Sequence, residues 1–402
     1  MRHTMSAALI AVGAFALSGA PLLADAHTDA GERAGHIADG ARAPDEVLLS
    51  PDDLLAPYYV RLQQTVDLPE AGPNPALAPD TALTRFAFGS CNHQSASQHM
   101  WAQISGQDPQ AFLMIGDNVY GDNAWDADAA LESLRTAYAE QAAHPEFADF
   151  RAGIPMMATW DDHDYGLNDA GAAFPMRRWA ETLFETFWNS SDAVRQRPGT
   201  YDSVIVGPDG QRVQFLLLDT RFFRSDLKRK DWQRPRPPLG MYLPDTDPAA
   251  TILGADQWEW LEGELAKPAD MRVVVSSIQA ITQAHDYESW ENFPLERERL
   301  FDMLNAREDS GVVLLTGDRH SAGIYRLDHG GETFWELTSS SLNLAFGDIE
   351  NNTAREPDPL RVTPFFGVEN YGLIDIDWSE RELTMTLKGN ESQTYAARSF
   401  TW

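Results

Sequence analysis

Short runs of apolar, β-branched or aromatic residues recur along the chain, and each ends abruptly in polar ones. Arg85-Phe86-Ala87-Phe88 leads into Gly89-Ser90-Cys91-Asn92-His93, and Ala111 to Ile115 leads into Gly116-Asp117-Asn118-Val119-Tyr120-Gly121-Asp122. Ile154 to Ala158 delivers Thr159-Trp160-Asp161-Asp162-His163-Asp164, and Val213 to Leu218 delivers Asp219-Thr220-Arg221. Arg272 to Val275 runs into Ser276-Ser277-Ile278-Gln279, and Val312 to Leu315 into Thr316-Gly317-Asp318-Arg319-His320. Continuous apolar runs are the mark of strands buried on both faces. Helical stretches at Ala127–Ala142, Pro175–Trp188, Ala255–Leu265 and Pro294–Leu304 alternate with them, which predicts an α/β sheet covered on both sides. Such sheets bind ligands beyond the C-terminal ends of their strands, where every polar cluster falls, so the clusters are expected to converge.

After Ser321 the alternation fades. Segments starting at Phe334, Gly372 and Glu382 read as consecutive, mostly antiparallel strands closing a second sheet. Phe222 to Leu253 holds several prolines and basic residues without periodicity, and reads as a long functional loop near the site. Upstream, Ser50-Pro51-Asp52-Asp53 has the form of a helix start with Ser50 as N-cap, and Pro69 to Pro79 reads as linker.

Composition narrows the partners. The chain has 402 residues, 43% of them hydrophobic, ample for a buried core. A formal net charge of −30 argues against binding nucleic acid or an anionic membrane, and an anionic substrate would need a local cationic centre. Arg2 and His3, an apolar run from Ala7 to Leu17 and Ala24-Asp25-Ala26 together predict a Sec-type signal peptide over 1–26, too short for a membrane span. The expected organisation is that peptide, an N-terminal extension and linker over 27–81, and one main domain over 82–402, with the protein periplasmic or secreted. Cys91 is the single cysteine, so it has no internal disulfide partner, and in an oxidising compartment it is expected to be buried or metal-bound.

The densest chemistry lies at Thr159–Asp169, where Asp161, Asp162, Asp164 and Asp169 surround His163, with Asn168 close behind. Carboxylates packed this closely repel one another unless a cation neutralises them. The alternative is a solvated acidic loop, but the apolar lead-in and the histidine favour a metal site. Strand ends also supply Cys91, Asp117, Tyr120, Asp318 and His320. Hard oxygens suit calcium, magnesium or ferric iron, and thiolate with phenolate points to a transition metal, ferric iron foremost. A metal pair can clamp a phosphoryl group and bring a bound water's pKa near neutrality. Cys91 also has the plainer reading of a small buried residue, Tyr120 that of a core aromatic, and Arg221 that of a partner for Asp219. After a buried strand, Arg221 equally has the geometry to bind phosphate.

In this order, Gly-Ser-Cys91, Asp117-x-x-Tyr120-x-Asp122, Trp160-Asp161-Asp162-His163-Asp164 followed by Asn168-Asp169, Leu218-Asp219-Thr220-Arg221 and Gly317-Asp318-Arg319-His320-Ser321-Ala322-Gly323 resemble the alkaline phosphatase D (PhoD-like) metallophosphatases. The resemblance runs from about Arg85 onward. It implies the calcineurin-like four-layer αββα sandwich of two mixed sheets, with the site between them. It further implies Asp117 as the carboxylate bridging metals and Cys91 and Tyr120 as ligands of ferric iron. Asp161, Asp162, Asn168, Asp318 and His320 become further ligands, His163 a catalytic histidine, and Gln279 stands where a ligand histidine would otherwise be. Iron paired with calcium is the implied cofactor set, zinc or manganese being the substitutes. The implied activity is hydrolysis of phosphate monoesters by a metal-activated hydroxide. The alternatives are phosphodiesterase or phospholipase D-like activity at the same site, and a non-catalytic, calcium-stabilised binding protein.

Overall fold

The computed structural model describes residues 50–122, 130–231, 239–307, 310–347, 354, 356–389 and 391–402, so the signal peptide expected over 1–26 lies outside the described residues. The chain starts with α1 (Pro51–Thr65), where the Ser50 side chain and Asp53 form a capping box. Tyr59 and Leu62 of this helix enter the core, so the described part of the N-terminal extension packs on the domain beyond it.

Strands alternate with helices as the sequence predicts, beginning with β1 (Arg85–Gly89), α2 (Met100–Ser105), β2 (Phe112–Ile115), α3 (Glu132–Ala143), α4 (Pro145–Gly153) and β3 (Met156–Thr159). Next come α5 (Asp162–Tyr165), α6 (Arg177–Trp188), α7 (Asp192–Arg195), β4 (Asp202–Val206), β5 (Val213–Leu217), α8 (Gly254–Leu265), β6 (Met271–Ser276), α9 (Pro294–Asn305) and β7 (Gly311–Thr316). The chain closes with β8 (Ala322–His329), β9 (Glu332–Ser339), β10 (Asn370–Asp377), β11 (Glu382–Gly389) and β12 (Thr394–Thr401). One sheet has the order β12-β11-β10-β1-β2-β3 and the other β4-β5-β6-β7-β9-β8. Both are mixed: β1, β2 and β3 run parallel while β10 joins β1 antiparallel, and β5, β6, β7 and β9 run parallel between antiparallel edges.

The pleat explains the layering. Phe86, Phe88, Leu113 and Ile115 face Phe215, Val273, Val275, Val313 and Leu315 in a core between the two sheets. The alternate residues Ala87, Phe112 and Met114 pack outward on the α2–α6 layer, and Leu216, Val274 and Leu314 pack on α8 and α9. Period-2 side-chain alternation thus gives each central strand two buried faces, and the stack is helix, sheet, sheet, helix. This is the expected four-layer architecture.

One expectation is corrected. Of the C-terminal segments assigned to the second sheet, only β9 lies there, while β10, β11 and β12 extend the first sheet from β1, with Arg85 opposite Asp375. Alternation in β11 marks one buried face through Leu383, Met385 and Leu387, but a buried face does not say which sheet receives it. Among the described residues no helix is long and apolar enough to cross a membrane.

Candidate metal centre and active site

The ladders continue past the strand ends and fix the loops that carry the chemistry. Cys91 N–H donates to Gly116 O at 3.4 Å, Asn92 N–H to Asp117 O at 2.9 Å, and Gly317 N–H to Ser277 O at 3.0 Å. Thr159 Oγ1 donates across to Leu218 O at 2.9 Å, tying the two sheets together at this end. Cys91, Asp117, Asp169, Asp318 and His320 all adopt positive φ, between +48° and +67°. Such backbone costs about 1–2 kcal/mol per residue without a local compensation, and five such residues fall at this end of the strands. Gly116 has no Cβ for a steric reason: one would lie 2.6 Å from Asp161 Cβ and 2.9 Å from Ser277 Cβ.

These loops bring most of the expected ligands together. Donor atoms of Cys91, Asp117 and His320 lie within 4.8 Å of one another, as do those of Asp117, Asp162 and His163, and those of Asp117, Asp161, Asp162 and Asp318. Asp117 belongs to all three sets, the position a bridging carboxylate needs. Tyr120 Oη donates to Asp117 Oδ2 at 3.0 Å and lies 3.4 Å from His320 Nε2. The Cys91 thiol donates to the same Oδ2 at 3.3 Å and sits 3.0 Å from Ser340 Oγ.

The residues fit a bound cation. Asp117 Oδ1 and Asp161 Oδ2 are buried without a hydrogen-bond partner among the described residues, a cost of about 1–3 kcal/mol each that an ion would remove. Burial, Cys91 and neighbouring carboxylates push the Asp117 acid well up, and burial with Asp161 and Asp162 does the same to Asp318. Burial likewise pushes the Cys91 thiol up to about 11, so a thiolate here needs a cation beside it. Asp162 is the exception: burial opposes its charge, but His163, Arg221 and the Asp169 amide outweigh that and hold it well below the usual carboxylate range. Its oxygens accept from His163 N–H and Asp169 N–H, each at 2.8 Å.

The two histidines are set up differently. His320 Nδ1 lies 2.8 Å from Leu344 O, so it carries the ring proton and leaves Nε2 as the lone-pair nitrogen facing Tyr120. Burial lowers its pKa to about 4, which keeps the imidazole neutral, as a ligand must be. His163 Nδ1 instead lies 2.8 Å from Asp122 Oδ1. Burial disfavours its charge, yet Asp162, Asp117 and Asp122 together push it up to about 11. Any cation held by the same carboxylates lowers that value.

The remaining expected residues fall at the rim or behind the cluster. Asn168 is exposed and lines the adjoining cavity. Gln279 is fully buried and turned into a hydrogen-bond network with Thr338 Oγ1 at 2.7 Å and His285 Nε2 at 3.1 Å, away from the cavity. Arg221 is fully buried, and its guanidinium donates to Asp161 Oδ1 from Nε at 2.6 Å and pairs with Glu288 Oε2 at 2.5 Å. It does not pair with Asp219, whose carboxylate accepts the Arg221 and Phe222 amides at 2.9 Å each. Arg221 therefore braces Asp161 from behind rather than lining the cavity.

Sequence reasoning missed Glu288, which pairs with both Arg221 and Arg224 and forms a further donor group with Asp162 and Asp169. No apolar lead-in precedes it, so the pattern that exposed the other ligands is silent there. The role of Asp122 as partner of His163 was also missed, although it sits in the Asp117–Asp122 motif. A cavity of about 780 Å³ opens over the cluster, lined on one side by Tyr120, Asp162, His163, Asp318 and His320 and on another by Arg229 and Leu239–Tyr242 of the long 222–253 connection.

Comparisons with known proteins bear on the family and the fold. A family profile described as PhoD-like phosphatase matches residues 194–387, which include Arg221, Glu288, Asp318 and His320. Alkaline phosphatase D of Bacillus subtilis (strain 168) is 24% identical over 331 residues, covering 71% of this chain and 54% of that protein. The chain thus spans about half the length of the curated relative it matches. A solved structure of PhoD superposes with a TM-score of 0.63 at 18% identity, over 82% of this chain and 71% of the other, which speaks to the fold. Profile and relative point the same way as the ordered motifs, and over the matched regions the chain is similar to the PhoD-like phosphatases.

Proposed function

We propose that this protein is a metal-dependent phosphatase that hydrolyses phosphate monoesters at the floor of the cavity, consuming water and releasing alcohol and inorganic phosphate. Cys91, Asp117, Tyr120, Asp161, Asp162, Asp318 and His320 would hold the metal ions, with Asn168 at the rim. The thiol and phenol in this set favour ferric iron, and the carboxylate-rich remainder favours calcium. Bound there, the ions would supply Lewis acidity and lower the pKa of water. The observation that carries the reading is the pair of buried, unpartnered oxygens, Asp117 Oδ1 and Asp161 Oδ2, beneath the cavity.

The chain's own groups have defined tasks. His163 lines the cavity and is oriented by Asp122, so its ring is positioned to stabilise the transferring group or give a proton to the departing alkoxide. Arg221 acts as a positioning residue: with Ser277 Oγ, which donates at 2.7 Å, it holds Asp161 Oδ1 and leaves Oδ2 turned to a ligand. His93 stacks on Tyr120 with ring centroids 5.3 Å apart and planes 9° apart, fixing the phenol. Export by a signal peptide over 1–26 belongs to the same proposal, and a mature N-terminus at His27 would support it.

The test compares p-nitrophenyl phosphate with bis-p-nitrophenyl phosphate, with metal analysis on the same preparation. Faster turnover of the monoester and stoichiometric iron and calcium are expected. Preference for the diester would replace the monoesterase reading by a phosphodiesterase one, and inertness towards both with bound calcium would leave a binding protein.

A further inference from the structure

The cavity is much larger than a phosphate group needs, and its outer wall is chemically specific. Lys230 N–H donates to Met241 O and Leu243 N–H to Lys228 O, each at 2.8 Å, so the 222–253 connection folds back on itself beside an antiparallel bridge between Arg229 and Tyr242. Two anchors pin this ribbon over the site. Tyr242 N–H donates to Asp286 O at 2.8 Å, and Tyr242 Oη donates to the Asp169 carboxylate. Arg229 thus projects from a fixed base into the cavity, 5.3 Å over the Tyr242 ring and 3.3 Å from its hydroxyl. Among the described residues it has no carboxylate partner, whereas Arg319, the other arginine lining the cavity, is paired with Glu356 at 2.6 Å. In a chain of net charge −30, one uncompensated guanidinium at this mouth is a local attractor for an anion.

The second element is Phe346. Its ring stacks on His320 at 3.8 Å and 21°, yet the residue is 63% exposed and faces the same cavity. A large apolar face left open beside a candidate ligand histidine offers a stacking surface one layer out from the phosphoryl position.

We propose that the cavity is a leaving-group subsite for phosphate esters carrying a planar ring and a second anionic group, as a nucleoside bisphosphate does. Phe346 takes the ring and Arg229 the second anion. The inference rests on the phosphatase reading above and specifies its substrate class.

The experiment measures kcat/KM of the metal-loaded protein for adenosine bisphosphate, adenosine monophosphate and glycerol phosphate. Arg229→Ala is expected to lose about tenfold on the bisphosphate alone, through KM, the size of one charged hydrogen bond. Arg229→Lys should recover part of that loss. Phe346→Leu is expected to lose roughly five- to tenfold on both adenosine esters and little on glycerol phosphate, the size of one stacking contact, with Phe346→Tyr restoring it. Equal losses on all three esters, or none, would overturn the subsite. If the wild type hydrolyses no ester, the phosphatase reading falls by itself. Calorimetric titration with adenosine bisphosphate then decides the subsite, which stands if Arg229→Ala binds about tenfold more weakly and fails if the affinities match.

Discussion

His163 Nδ1 lies 2.8 Å from Asp122 Oδ1, so the histidine is oriented by a carboxylate contributed from the end of a different strand. Because Asp122 reaches the reaction only through the ring, Asp122→Asn should lower kcat by about 10–100-fold with little change in KM. His163→Ala should lower it further, and the double variant should be no slower than His163→Ala, the non-additivity of residues acting as a unit. Additive losses would show that Asp122 has a separate task.

Asp117 is common to three of the donor groups, so Asp117→Asn is expected to reduce bound metal and to cut turnover by at least about a hundredfold. Metal-free, the same substitution removes an acid whose ionised form burial and its neighbours disfavour, and the variant should then melt above the metal-free wild type. Calorimetry with and without chelator reads both effects. A companion measurement is the visible spectrum: a ligand-to-metal band that disappears in Tyr120→Phe would assign the phenolate to iron, and a colourless protein would remove Tyr120 from the ligand set.

Arg221 is wholly enclosed between Asp161 and Glu288. Replacing it by Met strands the buried Asp161 carboxylate, leaves Glu288 with Arg224 alone, and should cost about 3–5 kcal/mol in urea denaturation of the metal-free protein. Added metal should recover part of this by neutralising Asp161, so the deficit shrinks on loading. An unchanged deficit would place the loss in packing alone.

Glu181 on α6 gives a pH effect remote from the metal site. Burial, offset in part by Arg178 and the Gly199 amide, pushes its acid up from 4.5 to about 7. The native state therefore prefers the protonated form. Stability from this group is fully present below pH 4.5 and is lost as pH rises through 7. Glu181→Gln should thus match the wild type in acid and exceed it by about 3 kcal/mol near pH 8, read from paired denaturation curves. A difference independent of pH would exclude the ionisation as its source.

Much of the candidate site was legible because its residues come directly after continuous apolar runs. Val213–Leu218, Arg272–Val275 and Val312–Leu315 each announce a strand, and the polar residues beyond each strand are set at one end of a parallel sheet. The same logic could not reach Glu288 or Phe346, which sit on irregular segments brought in by tertiary packing, nor assign β10–β12 to a sheet. It also could not tell a guanidinium that lines the cavity from one buried behind it: Arg221 and Arg229 differ in burial, a property of the folded state rather than of the local sequence.

The junction of β1 with β10 pairs Arg85 with Asp375, so the strand that presents Cys91 is hydrogen-bonded on one side to a part of the chain made far later. Ribosomal synthesis delivers Cys91, Asp117 and Asp162 long before that neighbour exists, and slow, long-range pairing must precede a finished site. Truncation before Asn370 would consequently leave every candidate ligand in the polypeptide while removing the strand that supports β1, so the Cys91 loop would lose its neighbour on that side.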